Sequence, residues 1–103
     1  MATTDVAFAE ERREARDEVH HRTRGLDESG RPVALLVVNL SPHGMMARCD
    51  ADVAEGARLR VPFPDVGTVA MQVRWSLGGR IGCQFDRPLQ RAPYYELLAL
   101  LLR

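Results

Sequence analysis

Two arginines near the N-terminus have the chemistry and the spacing to bind an anionic ligand. Arg12 and Arg16 lie four positions apart in the string Arg-Arg-Glu-Ala-Arg, and Arg13 between them is a further candidate cation. A guanidinium group can hold a phosphate through two parallel hydrogen bonds, stack on a purine, or donate to the O6 and N7 edge of guanine. The alternative for this string taken alone is an ordinary charged helix surface.

A second polar cluster, Asn39-Leu40-Ser41-Pro42-His43-Gly44, ends a strongly apolar run. Asn39 and Ser41 are two positions apart, so in an extended strand both project from the same face. There an amide and a hydroxyl could bond a base edge or a ribose. Gly44 is expected to adopt a positive φ and to let a ligand approach the main chain. The alternative is a plain β-turn, because Asn, Ser, Pro and Gly all form turns.

The elements that must position these clusters are short strands separated by turns. Apolar and polar residues alternate through most of residues 19–85, with turn signals about every ten residues, which predicts a mainly β chain forming a small antiparallel barrel or sandwich. Gly78-Gly79 predicts a tight hairpin turn. Pro93 suits a first helical position, so a short apolar helix is predicted over 93–102.

Residues 1–18 are highly charged and lack a broad apolar stripe. They are predicted to form an N-terminal arm, either a short solvated helix or a flexible segment that becomes ordered conditionally. The chain then divides into this arm, 1–18, and a barrel with its C-terminal helix, 19–103.

Composition limits the classes of partner. Fourteen basic and fourteen acidic residues give a formal net charge of +0, which argues against a general nucleic-acid binder and makes any anion site local. The N-terminus has no secretory signal pattern, and the apolar run 97–102 is too short to cross a bilayer. A cytoplasmic protein without membrane insertion is expected, with Cys49 and Cys83 as reduced, partly buried thiols.

Other candidate chemistry is weaker. His20, His21, His43 and Cys49 do not have the spacing of a zinc site, so no metal is predicted. Ser41 and His43 do not form a nucleophile–base pair, and the chain is predicted not to be an enzyme. Trp75 is interpreted as a core or rim aromatic residue rather than a base-stacking platform. Surface charge is the default interpretation of four later arginines, one of which could add a phosphate contact: Arg74, Arg80, Arg87 and Arg91.

In this order, the two clusters resemble the motifs of the PilZ domain family, whose members bind the bacterial second messenger cyclic di-GMP. The family pattern is an Arg-x-x-x-Arg arm followed, after one or two strands, by Asp/Asn-x-Ser-x-x-Gly. Arg12 and Arg16 match the first motif, and Asn39, Ser41 and Gly44 match the second. Residues 73–85 also resemble the last hairpin of the family, so the resemblance covers most of residues 11–90.

The resemblance implies a six-stranded β-barrel of the split-barrel type, with the arm wrapping cyclic di-GMP against its outer face. By family role, Arg12 and Arg16 would hold phosphate and guanine, Asn39 and Ser41 would meet a guanine or its sugar, and Gly44 would shape the turn. Asn39 stands where Asp is commoner, so a charge is lost and a donor gained. No cofactor is implied, and a downstream protein partner would read the ordered arm.

Two other functions remain open. The first is a PilZ-like protein-interaction module that binds no nucleotide, in which the arginines of the arm pair internally with neighbouring acids: Glu10, Glu11, Glu14 and Asp17. The second is a small oligonucleotide-binding barrel, which the topology permits but the neutral charge and few aromatic residues disfavour.

Overall fold

The predicted six-stranded antiparallel barrel is confirmed. The structure, a computed structural model, describes residues 16–102. The elements are β1 Asp17–Leu26, β2 Pro32–Ser41, β3 Gly44–Arg48, β4 Arg58–Phe63, β5 Gly67–Leu77, β6 Arg80–Phe85 and α1 Arg91–Leu101. The strands follow the order β1-β2-β3-β6-β5-β4 around a closed barrel.

The barrel closes where β1 meets β4. The only Cα register pair between these strands is Leu26 with Arg60, and the Thr23 hydroxyl adds a hydrogen bond to the Pro62 carbonyl at 3.3 Å. Gly25 makes this close approach possible, because a β-carbon there would lie 3.2 Å from the Arg60 carbonyl oxygen. A larger residue would require its neighbours to shift by a few tenths of an ångström.

Alternate residues of the strands point inward and form one core. Val37, Leu40, Leu59 and Met71 are among its fully buried members, and Leu97 of α1 belongs to the same cluster. Both cysteines are buried thiols rather than a disulfide. The helix therefore contributes its apolar face to the barrel core.

The helix begins two residues earlier than predicted, at Arg91 instead of Pro93. Proline is tolerated throughout the first helical turn, because the N–H groups of that turn have no partner within the helix. The strand–arm boundary also differs, since β1 already begins at Asp17 within the predicted arm of residues 1–18. Among residues 16–102 no helix is long and apolar enough to cross a membrane.

Candidate functional site

Five residues from five strands lie side by side across the outside of the barrel. Glu18 pairs with Asn39, Asn39 with Met46, Met46 with Gly82 and Gly82 with Trp75. We call this set of five residues the Asn39 row. Leu40, Met45 and Cys83 beside it are buried in the core, so alternation directs the row outward.

The strand pairing is irregular on either side of this row. Val38 is an extra residue in β2 relative to β3, and Arg74 is an extra residue in β5 relative to β6. The β1–β2 register also shifts between Glu18 and His21. A β-bulge bends its strand and redirects the neighbouring side chain, so three irregularities at one level shape this part of the outer surface.

Trp75 covers Gly82 on the neighbouring strand. A β-carbon added to Gly82 would overlap the Nε1 and Cε2 atoms of the indole, so only glycine allows the ring to lie flat against β6. Trp75 is half-buried in this position. Its outward position in the row makes it a rim aromatic residue, as the sequence predicted.

Arg16 and Asn39, one from each motif, line the same depression. Met46, Arg74 and Trp75 also line it, and its volume is only about 20 Å³. Arg16 is exposed, whereas Asn39 is half-buried. Guanidinium donors, a carboxamide and an aromatic ring thus meet at one shallow point, which suits an anionic ligand with a flat base.

Ser41 and Gly44 form the last pair of the β2–β3 hairpin, two positions along from Asn39 and Met46. Ser41 is buried, and its Oγ accepts a hydrogen bond from the His43 backbone N–H at 3.3 Å. The expectation that Gly44 has a positive φ is wrong, because Gly44 is an extended residue that begins β3 and is absent from the positive-φ positions. The turn closes with Pro42 and His43 as its two central residues, so Gly44 can stay in the strand.

The other predicted site residues, Arg12 and Arg13, lie outside the described residues. Sequence reasoning missed Met46 and Gly82, and it named Arg74 only as one of four arginines of which one could add a phosphate contact. The Gly82–Trp75 pairing could have been found, since a two-residue turn at Gly78-Gly79 sets 77 opposite 80, 76 opposite 81 and 75 opposite 82. No sequence pattern of this kind predicts the β-bulges that orient the side chains.

A larger depression, about 300 Å³, lies farther along the strands on the same side of the barrel. Arg22, Leu36, Arg48 and Asp50 line it. It holds two cations and an acid but no aromatic ring, whereas the shallow depression includes residues from both sequence motifs and the tryptophan. The larger depression has the greater volume, but the chemical groups that line the smaller one favour the Asn39 row as the ligand site. Within residues 16–102, no group of three or more His, Cys, Asp or Glu side chains is placed to hold a metal ion.

Comparison with known proteins gives one family. The family model described as the PilZ domain matches residues 10–103, which is most of the chain. No curated protein matches the sequence.

Proposed function

This chain belongs to the PilZ domain family, a family of cyclic di-GMP receptor domains, and from that premise we propose that it binds cyclic di-GMP on the Asn39 row. The observation that carries the proposal is that Arg16 and Asn39 line one depression together with Trp75. The two motifs are separated by a whole strand in the sequence, yet a residue from each lines this depression.

Each group has a role that its chemistry suits. The guanidinium groups of Arg16 and Arg12 bind phosphate oxygens and a guanine edge, with Arg13 as a further cation. The Asn39 carboxamide both donates to and accepts from a base. From the sequence, Trp75 is interpreted as a core or rim residue and not as a stacking platform; we propose instead that the ring, which covers Gly82 with one face, stacks on a base with the other. Ser41 and Gly44 hold the hairpin that carries Asn39, and their direct contact with the ligand is part of the proposal.

The small volume of the depression argues for closure by the arm. A space of about 20 Å³ holds at most a water molecule, so a dinucleotide would rest on the outer surface instead of inside a cavity. Residues N-terminal to Arg16 then supply the opposite side of the site. Ordering this arm costs conformational entropy, which the new phosphate contacts must exceed.

We further propose that the ordered arm is the signal. Neutralising the arginines and fixing the arm would present a new surface to a downstream protein, without catalysis by this chain. The alternative is an interaction module without nucleotide, favoured by the acid Glu18, which lies in the Asn39 row beside the cations.

Isothermal titration with cyclic di-GMP tests the proposal. We expect saturable binding that Arg12→Ala and Arg16→Ala each weaken by about tenfold or more, because each removes a charge-assisted hydrogen-bond donor. Arg60→Ala is the matched control, since Arg60 is an exposed arginine on β4, the strand farthest from the row. Equal affinity in all three variants would contradict the site, and no heat at high nucleotide concentration would favour the interaction module.

A further inference from the structure

The C-terminal part of the chain is hydrogen-bonded to the residues that flank the candidate site. The Phe85 N–H donates to the His43 carbonyl at 2.8 Å, and the Leu89 N–H donates to the Pro42 carbonyl at 2.8 Å. Both acceptors belong to the β2–β3 turn between Ser41 and Gly44. The segment leading into α1 therefore holds the hairpin that carries the second motif.

Tyr94 of α1 extends this contact to the first motif. Its hydroxyl lies 2.6 Å from Oδ2 of Asp17 and 2.9 Å from the Leu40 carbonyl oxygen. A phenol has one proton, so the carboxylate receives the shorter, charge-assisted bond and the carbonyl shares it. Asp17 follows Arg16 directly and Leu40 follows Asn39, so one hydroxyl joins the neighbours of both site residues.

The bond to Asp17 also bears on the acids around the arginine motif. Asp17 is half-buried and directed toward the helix, whereas Arg16 and Glu18 on either side of it are exposed. A carboxylate that lost its phenol donor would remain partly desolvated and would seek another donor. Arg16 is the cationic residue next to Asp17 in the sequence.

We propose that Tyr94 is a positioning residue for the ligand site. Its hydroxyl holds the Asp17 carboxylate near the Leu40 carbonyl and so keeps this acid away from Arg16. The same two hydrogen bonds fix the backbone next to Arg16 and Asn39. The inference rests on the proposed function for its ligand, cyclic di-GMP, but its structural part concerns the unliganded protein.

The test compares two adjacent tyrosines. Tyr94→Phe removes the hydroxyl and keeps the ring, and it should weaken cyclic di-GMP binding by about fivefold or more because a partly buried acceptor loses its donor. Tyr95→Phe makes the same chemical change at an exposed position, 60% accessible, and should leave the affinity unchanged. Equal affinity in the two variants would overturn the proposal.

Asp17→Asn tests whether Tyr94→Phe weakens binding because the Asp17 carboxylate pairs with Arg16 or because the structure is generally disturbed. Alone it should leave the affinity near that of the wild type, because the amide oxygen still accepts from Tyr94 while the charge is already held away from Arg16. Combined with Tyr94→Phe it should restore most of the lost affinity. Tighter binding by Asp17→Asn alone, or no rescue in the double variant, would overturn the proposed role of the carboxylate.

A ligand-free measurement keeps this inference distinct from the receptor function. In nuclear magnetic resonance spectra without nucleotide, Tyr94→Phe should shift the backbone amides of Arg16 and Asn39, and Tyr95→Phe should not. Absent shifts would overturn the positioning role even if the wild-type protein binds nucleotide. If the wild-type protein binds no nucleotide and Tyr94→Phe still produces these shifts, only the receptor function is contradicted.

Discussion

Two sides of the barrel differ in how regularly their strands pair. On the side that we call the regular wall, β4 pairs with residues 67–72 of β5 in six consecutive positions without a shift. On the side that we call the bulged wall, around the Asn39 row, the β1–β2, β2–β3 and β5–β6 pairs each contain a register shift. Buried apolar residues lie beneath both walls, among them Leu40 and Leu59.

The difference shows where this small barrel departs from ideal geometry. A regular ladder is sufficient to bury Leu59 and Val61 on one face of β4 and expose Arg58 and Arg60 on the other. Extra residues at Val38 and Arg74 interrupt the ladder and redirect Asn39 and Trp75 toward one point. Such interruptions give up some ladder hydrogen bonds and are common next to functional sites, so their concentration at one level supports the proposed ligand site.

The largest expected effect is a loss of stability from two leucine substitutions, of which only one should also weaken ligand binding. Leu40 beneath the bulged wall and Leu59 beneath the regular wall are both fully buried, so either Leu→Ala change should lower the free energy of unfolding by about 2–5 kcal/mol. Only Leu40→Ala should also weaken cyclic di-GMP binding, because Leu40 follows Asn39. Urea denaturation and titration of both variants measure this, and equal affinity losses would contradict the distinction.

The next effect concerns the indole. Gly82→Val places a side chain where Trp75 lies, so the ring must leave the bulged wall and binding should fall by about tenfold or more, as expected for the loss of a stacking partner. Trp75 is the only tryptophan of the chain, so its fluorescence reports the displacement directly. Ala70→Val on the outward face of β5 in the regular wall is the control. Unchanged fluorescence and affinity in Gly82→Val would argue against the indole as part of the site.

A smaller effect concerns the acid in the Asn39 row. Glu18 is exposed beside Asn39, and its charge opposes an anionic ligand. Glu18→Gln should tighten cyclic di-GMP binding about two- to threefold at low salt, and less at high salt because of screening. Glu28→Gln, in the turn after β1, should have no effect. Weaker binding by Glu18→Gln would instead make Glu18 a ligand contact.

The smallest effect is a pH dependence at the seam between the walls. His21 stacks on Phe63 of β4 at 6.2 Å between ring centroids, and burial lowers the pKa of His21 below 6.5. The folded protein then binds fewer protons than the unfolded chain as the pH falls through 6.5. The free energy of unfolding should be highest above that pH and should decrease below it.

His21→Gln should flatten this slope in denaturation curves recorded between about pH 7 and pH 5, the range in which histidine titrates. His20→Gln, at the exposed neighbouring position, is the control and should preserve the slope. An identical slope in the wild type and in His21→Gln would show that another group is responsible.

Much of the fold could be predicted from local chemistry. Gly78 and Gly79 both have positive φ, as a two-residue hairpin turn requires, and this turn alone sets the register of β5 against β6 as far as Trp75. The exposure of His20, Arg22 and Arg24 at alternate positions of β1 likewise follows from the two-residue period of a strand. These features could be predicted because they depend only on residues that are close together in the sequence.

The geometry of the site depends on distant partners and could not be predicted in the same way. Val38 lies within an unbroken apolar run, so nothing in its neighbourhood marks it as the extra residue. The β2–β3 turn has the predicted residues, yet Gly44 is extended and Ser41 is buried. The bond from Tyr94 to Asp17 joins residues 77 positions apart.

Chemical-shift mapping during titration with cyclic di-GMP locates the ligand on the unsubstituted protein, since it reports every backbone amide together with the indole N–H. We expect the largest shifts on Asn39, Met46, Gly82 and Trp75, with little change along β4. Shifts centred on β4, or on Arg22, Leu36 and Arg48 around the larger depression, would contradict the assignment of the site to the Asn39 row.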